Sequence, residues 1–253
     1  MPNIQAVTLQ RHEGKHLLPL SSWEFAANQH LVGLLPSEFV SAAQFFPIVF
    51  AKQADGEITV CALLGLEPGK NIFVDVEKGW KSGYIPAVFR RYPFMLAQQK
   101  EQDSKEDVRF MLCVDEESGL IGDSGGTPFF DEEGKLSEPL QKMLTFCGEC
   151  QKQVTYSKQF CALLEEMELL QPIKIEVKKK DGGVMNVGGV LHVDEKKMEA
   201  LDDESFLKVR HSRFLPLIYA HLLSLHHLGT LREHYHAKNT SQETSTLPQH
   251  FHF

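Results

Sequence analysis

The chain has 253 residues, a formal net charge of −8, 42% hydrophobic and 24% charged residues. That length and composition suit a folded globular body and exclude a largely disordered or membrane-embedded chain. The acidic balance disfavours a protein built to bind nucleic acid, which presents a basic face to phosphate.

The opening Met1-Pro2-Asn3-Ile4-Gln5 has no basic region followed by an apolar run, so no secretory leader is expected. Ser37 is placed to cap a helix carrying Phe39, Val40, Ala43 and Phe46, which stops before Pro47. Ile48 to Phe50 and Ile58 to Leu64, joined through Asp55-Gly56, read as a hairpin, and Asn71 to Val76 as a third strand. Short connections make that trio an antiparallel meander, since parallel neighbours need crossovers of a dozen or more residues. Residues 84 to 99 read as short helical or irregular structure broken by Pro86 and Pro93, Lys100 to Asp107 as a surface loop, and Val108 to Val114 as a fourth strand.

Asp115 to Gly134 is an acidic, glycine-rich connection long enough to be functional or mobile. Helices are expected over Ser137 to Cys150 and Thr155 to Leu169, the second ended by Pro172. Ile173 to Val177 and Val184 to Val193 form a second hairpin turning at Asp181-Gly182. Asp194 and Asp202 are N-caps for two short helices, and Phe214 to Leu228 is a final helix with Leu215, Ile218, Leu222 and Leu225 on its core stripe. The predicted architecture is α+β, a mainly antiparallel sheet of meander and hairpin packed against several helices. One domain is expected over 1–236, with 115–136 the place of any subdivision, and a flexible polar tail over 237–253.

The apolar stretches near Phe45 to Phe50 and Phe214 to Leu225 are too short or too interrupted for a bilayer span of about 20 residues, so no membrane insertion is expected. Five cysteines (Cys61, Cys113, Cys147, Cys150, Cys161) are an odd number in a chain that needs no staples. Free thiols and a cytoplasmic location follow as expectations.

Several phrases carry a resemblance: Phe46-Pro47-Ile48-Val49-Phe50, Asn71-Ile72-Phe73-Val74, Trp80, Tyr84-Ile85-Pro86-Ala87-Val88-Phe89-Arg90-Arg91-Tyr92-Pro93-Phe94, Phe130-Asp131, and Ile218-Tyr219-Ala220-His221-Leu222. In that order, over roughly residues 20 to 231, they resemble the SapC family. The resemblance implies an association with bacterial S-layer systems and a protein partner, either a halogenase-like enzyme or a cell-surface system. It implies no reaction.

The binding residues picked out are Asn71, Trp80, Tyr84, Arg90, Arg91 and Tyr92. Arginine presents a planar fork of donors suited to carboxylate or phosphate, and the neighbouring rings would stack on an aromatic ligand or a guanidinium. The structural alternative pairs one arginine with Asp75 or another carboxylate to fix a corner.

No catalytic residue, metal site or cofactor is assigned. Cys147-x-x-Cys150 lacks further ligands at zinc spacing. His221, His226, His227, His234, His236, His250 and His252 show no HExxH pattern, and His221 reads as a satisfied core or boundary histidine. Gly122-Asp123-Ser124-Gly125-Gly126 has no accompanying base or nucleophile elbow and reads as a turn-rich loop. The reading is a non-catalytic binding or accessory protein. The alternatives are an enzyme holding an anionic substrate on Arg90 or Arg91, with Tyr84, Tyr92 or Asp123 moving a proton, and a structural factor in S-layer assembly or export.

Overall fold

The computed structural model describes residues 2–75, 77–99, 109–178 and 183–241. The chain opens with β1 (Ile4–Ala6), α1 (Leu9–His12), β2 (His16–Leu17), α2 (Glu24–Ala27) and β3 (Leu31–Gly33). A 3-10 turn at Pro36–Glu38 leads into α3 (Phe39–Ala42), then β4 (Ile48–Lys52), β5 (Ile58–Leu63), β6 (Val74–Asp75), β7 (Gly79–Trp80), α4 (Ala87–Arg90), β8 (Phe94–Gln99) and β9 (Arg109–Asp115). Next come β10 (Ile121–Gly122), β11 (Thr127–Pro128), α5 (Glu138–Glu166), β12 (Leu170–Pro172), β13 (Ile175–Lys178), β14 (Val184–Val187) and β15 (Val190–Val193). The last helices are α6 (Glu195–Glu199), α7 (Asp203–His211), α8 (Leu215–Ser224) and α9 (His227–Ser241).

This is an α+β architecture of antiparallel sheets with helices packed on them. The chain parts into two compact units, Met1–Ser22 with Ala87–Tyr156, and Trp23–Pro86 with Ser157–Phe253. The divisions therefore fall after residues 22, 86 and 156.

In the first unit β9 lies between β1 and β8, with Ile4 opposite Asp115 and Phe94 opposite Val114. Phe94, Leu112 and Val114 point into a core shared with Phe129, Leu140 and Cys147. Residues 94–99 are thus a strand, where irregular or helical structure is expected from sequence. Phe-Met-Leu-Ala-Gln-Gln lacks β-branched residues, and the ladder from β9 overrides that local preference. The two helices expected from 137 to 169 are one helix of 29 residues. Gln151, Lys152 and Gln153 are good helix formers, so nothing interrupts it. It ends before Glu168, whose φ of 51° turns the backbone left-handed, and Pro172 lies beyond, in β12.

The second unit is built on a sheet of order β12-β15-β4-β5-β3. The β4–β5 hairpin is as expected, its turn closed by Gly56 at φ 90° and by the Glu57 N–H donating to Asp55 Oδ1 at 3.0 Å. The third strand is not 71–76: β3 pairs with β5, Leu31 opposite Leu63, and β6 pairs with β7. At Gly65 the chain folds so tightly that a Cβ there would lie 1.9 Å from the Lys70 carbonyl oxygen. That bend takes the following segment off the sheet after one bond, Ile72 N–H to Leu64 O at 2.9 Å.

The long second arm of the other hairpin is also split. Gly189 at φ 83° separates β14, which pairs with β13, from β15, which joins β4 with Val190 opposite Ala51. The turn at Asp181-Gly182, the loop at 100–107 and residues 76 and 108 lie outside the described residues.

Alternation sends Val49, Ala51, Cys61, Leu63 and Val190 toward Leu228, Leu231 and Tyr235 of α9. Phe50 points the other way, its ring 5.8 Å from Phe160 and 5.0 Å from His221. Asp194 and Asp202 cap α6 and α7 as expected, accepting the N–H of Lys196 at 3.0 Å and of Ser205 at 2.7 Å. Ser37 does not cap its helix. The chain enters through Pro36, and Glu38 reaches back to accept the Leu35 N–H at 2.9 Å. The expected final helix is two, α8 and α9, and α9 runs on through residues 237–241, where a tail is expected. Residues 242–253 lie outside the described residues.

Candidate functional site

In the first unit, α4 is a single turn anchored by buried Ala87 and Phe89, which leaves Arg90 exposed. Arg91 N–H and Tyr92 N–H donate to Ala87 O at 3.0 Å and Phe89 O at 3.1 Å, the Tyr92–Pro93 peptide is cis, and β8 starts immediately after. The Arg90 guanidinium lies 5.1 Å from the centroid of the Phe146 ring, a cation–π arrangement. Arg91 is half-buried and close enough to Cys147 to favour its thiolate, although burial wins and pushes that thiol up to about 11. Among the described residues the Arg91 side chain has no hydrogen bond or ion pair. Burial, and then the charge of Asp115, raises the Tyr92 phenol above its usual range.

The other three picked residues stand in the second unit and have structural partners there. Asn71 is buried, its Nδ2 donating to Ala26 O at 3.1 Å and its Oδ1 accepting from Phe73 N–H at 2.9 Å. Trp80 sits among Trp23, Phe46 and Phe73, at centroid separations of 5.5, 6.1 and 6.3 Å, and its Nε1–H donates to Tyr84 O at 2.7 Å. The Tyr84 hydroxyl donates to Oε1 of buried Glu38 at 2.8 Å. Asp75, suggested as an arginine's partner, instead accepts the N–H of Glu77 and Lys78 and faces Lys81 at 3.5 Å. Sequence alone does not single out Glu38 or Phe146. A glutamate two residues after Pro36 is a capping signal for the first, but nothing local marks the second.

A model of the SapC family matches residues 7–231. The chain belongs to the SapC family. The match includes all six picked residues and extends across both units. No curated protein and no solved structure matches this SapC-family sequence. No helix among its described residues is long and apolar enough to cross a membrane.

The other reactive residue types of this SapC chain are engaged elsewhere. All five cysteines are buried free thiols, and desolvation pushes Cys61 and Cys161 up to about 12. His221 is a core histidine: Nδ1–H donates to Ile48 O at 2.8 Å, and Nε2 accepts from Val193 N–H at 3.0 Å. Burial pulls its pKa down to about 4. His226 and His227 donate to Leu223 O and Ala43 O, while His250 and His252 lie outside the described residues. Asp123 pairs with Lys15 at 2.6 Å in the loop that carries Ser124. Arg11 grips Glu116 with two bonds, and buried His12 stacks on Phe129 with Nε2 3.4 Å from the same carboxylate. No group of three or more His, Cys, Asp or Glu among the described residues is placed to hold a metal ion.

Proposed function

We propose that this SapC-family chain is a non-catalytic binding or accessory protein that grips a carboxylate, on a small aromatic acid or on a protein partner, through the turn carrying Arg90, Arg91 and Tyr92. The observation that carries this reading is Arg91: a half-buried guanidinium with no ion pair or side-chain hydrogen bond among the described residues. Partial burial weakens its hydration, and an incoming carboxylate restores the lost bonds in bidentate form. Arg90 over Phe146 and the raised phenol of Tyr92 place a flat cation and a hydroxyl donor on the same turn.

The test is a thermal-shift screen with benzoate, phenylacetate and indole-3-acetate, alongside pull-downs with the proteins encoded next to this one. A true ligand at a hundred times its Kd stabilises by about 2.7 kcal/mol. That shift is expected to vanish in both Arg91→Ala and Arg91→Lys, because lysine has no fork. The proposal fails if no carboxylate compound or neighbouring protein binds, if binding survives both variants, or if the purified protein turns a compound over.

A further inference from the structure

Helix α8, Leu-Pro-Leu-Ile-Tyr-Ala-His-Leu-Leu-Ser, contains no charged side chain other than a histidine that is buried and neutral. Ile218, His221 and Ser224 face the core. The opposite face carries Pro216, Tyr219 and Leu223 at helical spacing, all exposed, with Leu223 72% and Tyr219 52% accessible. Val40, on the α3 helix that packs against α8, is also 72% exposed. Beside this face lies an open groove of about 510 Å³ lined by Glu195, Tyr219, Leu222, Leu223 and Leu225, among others. Apolar side chains this exposed, clustered on one uncharged helix, mark an interaction surface.

The charges at the two ends of that surface indicate the occupant. Arg210 lies in the last turn of α7 and Arg213 in the turn that leads into α8, while Glu195 stands in the groove by the far end of α8. None of the three makes a side-chain hydrogen bond or ion pair among the described residues, whereas Lys208 in the same turn is held by Glu166. Arg213 also has a left-handed backbone, φ 65°, where glycine would sit without strain.

We propose that this face pairs with the same face of a second copy of the chain, α8 lying antiparallel to α8 across a two-fold axis beside Tyr219. An isologous contact must be self-complementary, and this one is. With Tyr219 on the axis, position 213 of one copy falls opposite position 225 of the other, so Arg213 meets the groove holding Glu195, twice over. Tyr219 meets Tyr219, and Leu223 of each copy lies over Leu215 of the other. An anionic lipid surface would leave Glu195 facing like charge. An unrelated protein would have to supply both a carboxylate and a cation at the spacing this face already provides. The exposed residues of this face are few beside the roughly 20 to 30 a side of a standard interface, so the pairing is a weak, concentration-dependent dimer. It is independent of the Arg91 reading.

Sedimentation equilibrium on the full chain from about 5 to 500 μM reads the association directly, since weak interfaces dissociate within that range. The wild type is expected to approach twice its monomer mass, and Leu223→Asp to remain monomeric. Leu223 is exposed, so the variant should keep its circular dichroism and urea midpoint, which separates lost pairing from lost folding. Arg213→Glu and Glu195→Arg should each weaken the dimer about tenfold or more, and the double exchange should restore it. The inference is overturned by a wild type that stays monomeric, by a dimer indifferent to Leu223→Asp, or by a double exchange no tighter than either single one.

Discussion

His221 lies between two strands and a helix, and replacing it by glutamine should change how stability depends on pH. Its ring donates to Ile48 O at 2.8 Å and accepts from Val193 N–H at 3.0 Å. The β15–β4 register, with Val190 facing Ala51 and Leu191 facing Phe50, would next bring Val193 opposite Ile48, so the imidazole replaces a ladder bond at the end of the pair. Ser224 one turn on donates to His221 O at 2.6 Å and accepts from Ile48 N–H at 2.8 Å. Both ring nitrogens act in the neutral form, and desolvation, aided by nearby His192, holds the folded pKa at about 4. The unfolded chain protonates near 6.5 and so binds more protons below that pH. The contribution is therefore complete above about pH 6.5 and is lost as pH falls toward 4.

At 1.36 kcal/mol per pKa unit the full loss is about 3 kcal/mol, most of it already gone by pH 4.5. Urea unfolding followed by circular dichroism at pH 7.5, 5.5 and 4.5 measures it, with the His221→Gln difference cancelling the other histidines. The variant should cost about 1–3 kcal/mol at pH 7.5, where two buried backbone groups lose part of their bonding. That cost should shrink by about 2 kcal/mol or more at pH 4.5, because glutamine has no proton to take up. Parallel pH profiles for wild type and variant would refute a buried neutral imidazole at this position.

Glu168→Gly should raise the urea-derived stability by about 1 kcal/mol, because glycine adopts φ 51° without the left-handed cost; a loss of the same size would contradict this. Gly65→Ala should cost about 3 kcal/mol or more, or prevent folding, since its Cβ meets backbone oxygen at 1.9 Å, while Gly148→Ala, in open space on α5, should gain about 1 kcal/mol. Equal effects of the two substitutions in denaturant melts would show that the bend at Gly65 is not needed. In the folded protein at pH 8 the five buried thiols should react with Ellman's reagent about a hundredfold more slowly than in guanidinium, because burial raises Cys147 to about 11 and Cys61 and Cys161 to about 12. A fast phase in the folded state would mean that one thiol is accessible.

The features legible in the sequence depend on near neighbours along the chain. The β4–β5 hairpin follows from alternating apolar residues around Asp55-Gly56, and the caps of α6 and α7 follow from Asp194 and Asp202, because turns and caps are made within a few residues. The arginine turn could be picked out as a phrase, but its surroundings could not. Phe146 reaches Arg90 from more than fifty positions away, and Trp80 and Tyr84 turn out to bond backbone and Glu38 in the other unit.

Only tertiary structure decided which strands pair, that 94–99 is extended, and that α5 runs unbroken. A strand's hydrogen-bond partners lie on another segment, and local composition does not say which one. The same holds for His221: its spacing puts it on a core-facing helix, but only the assembled sheet brings Ile48 and Val193 to its two nitrogens and makes it neutral.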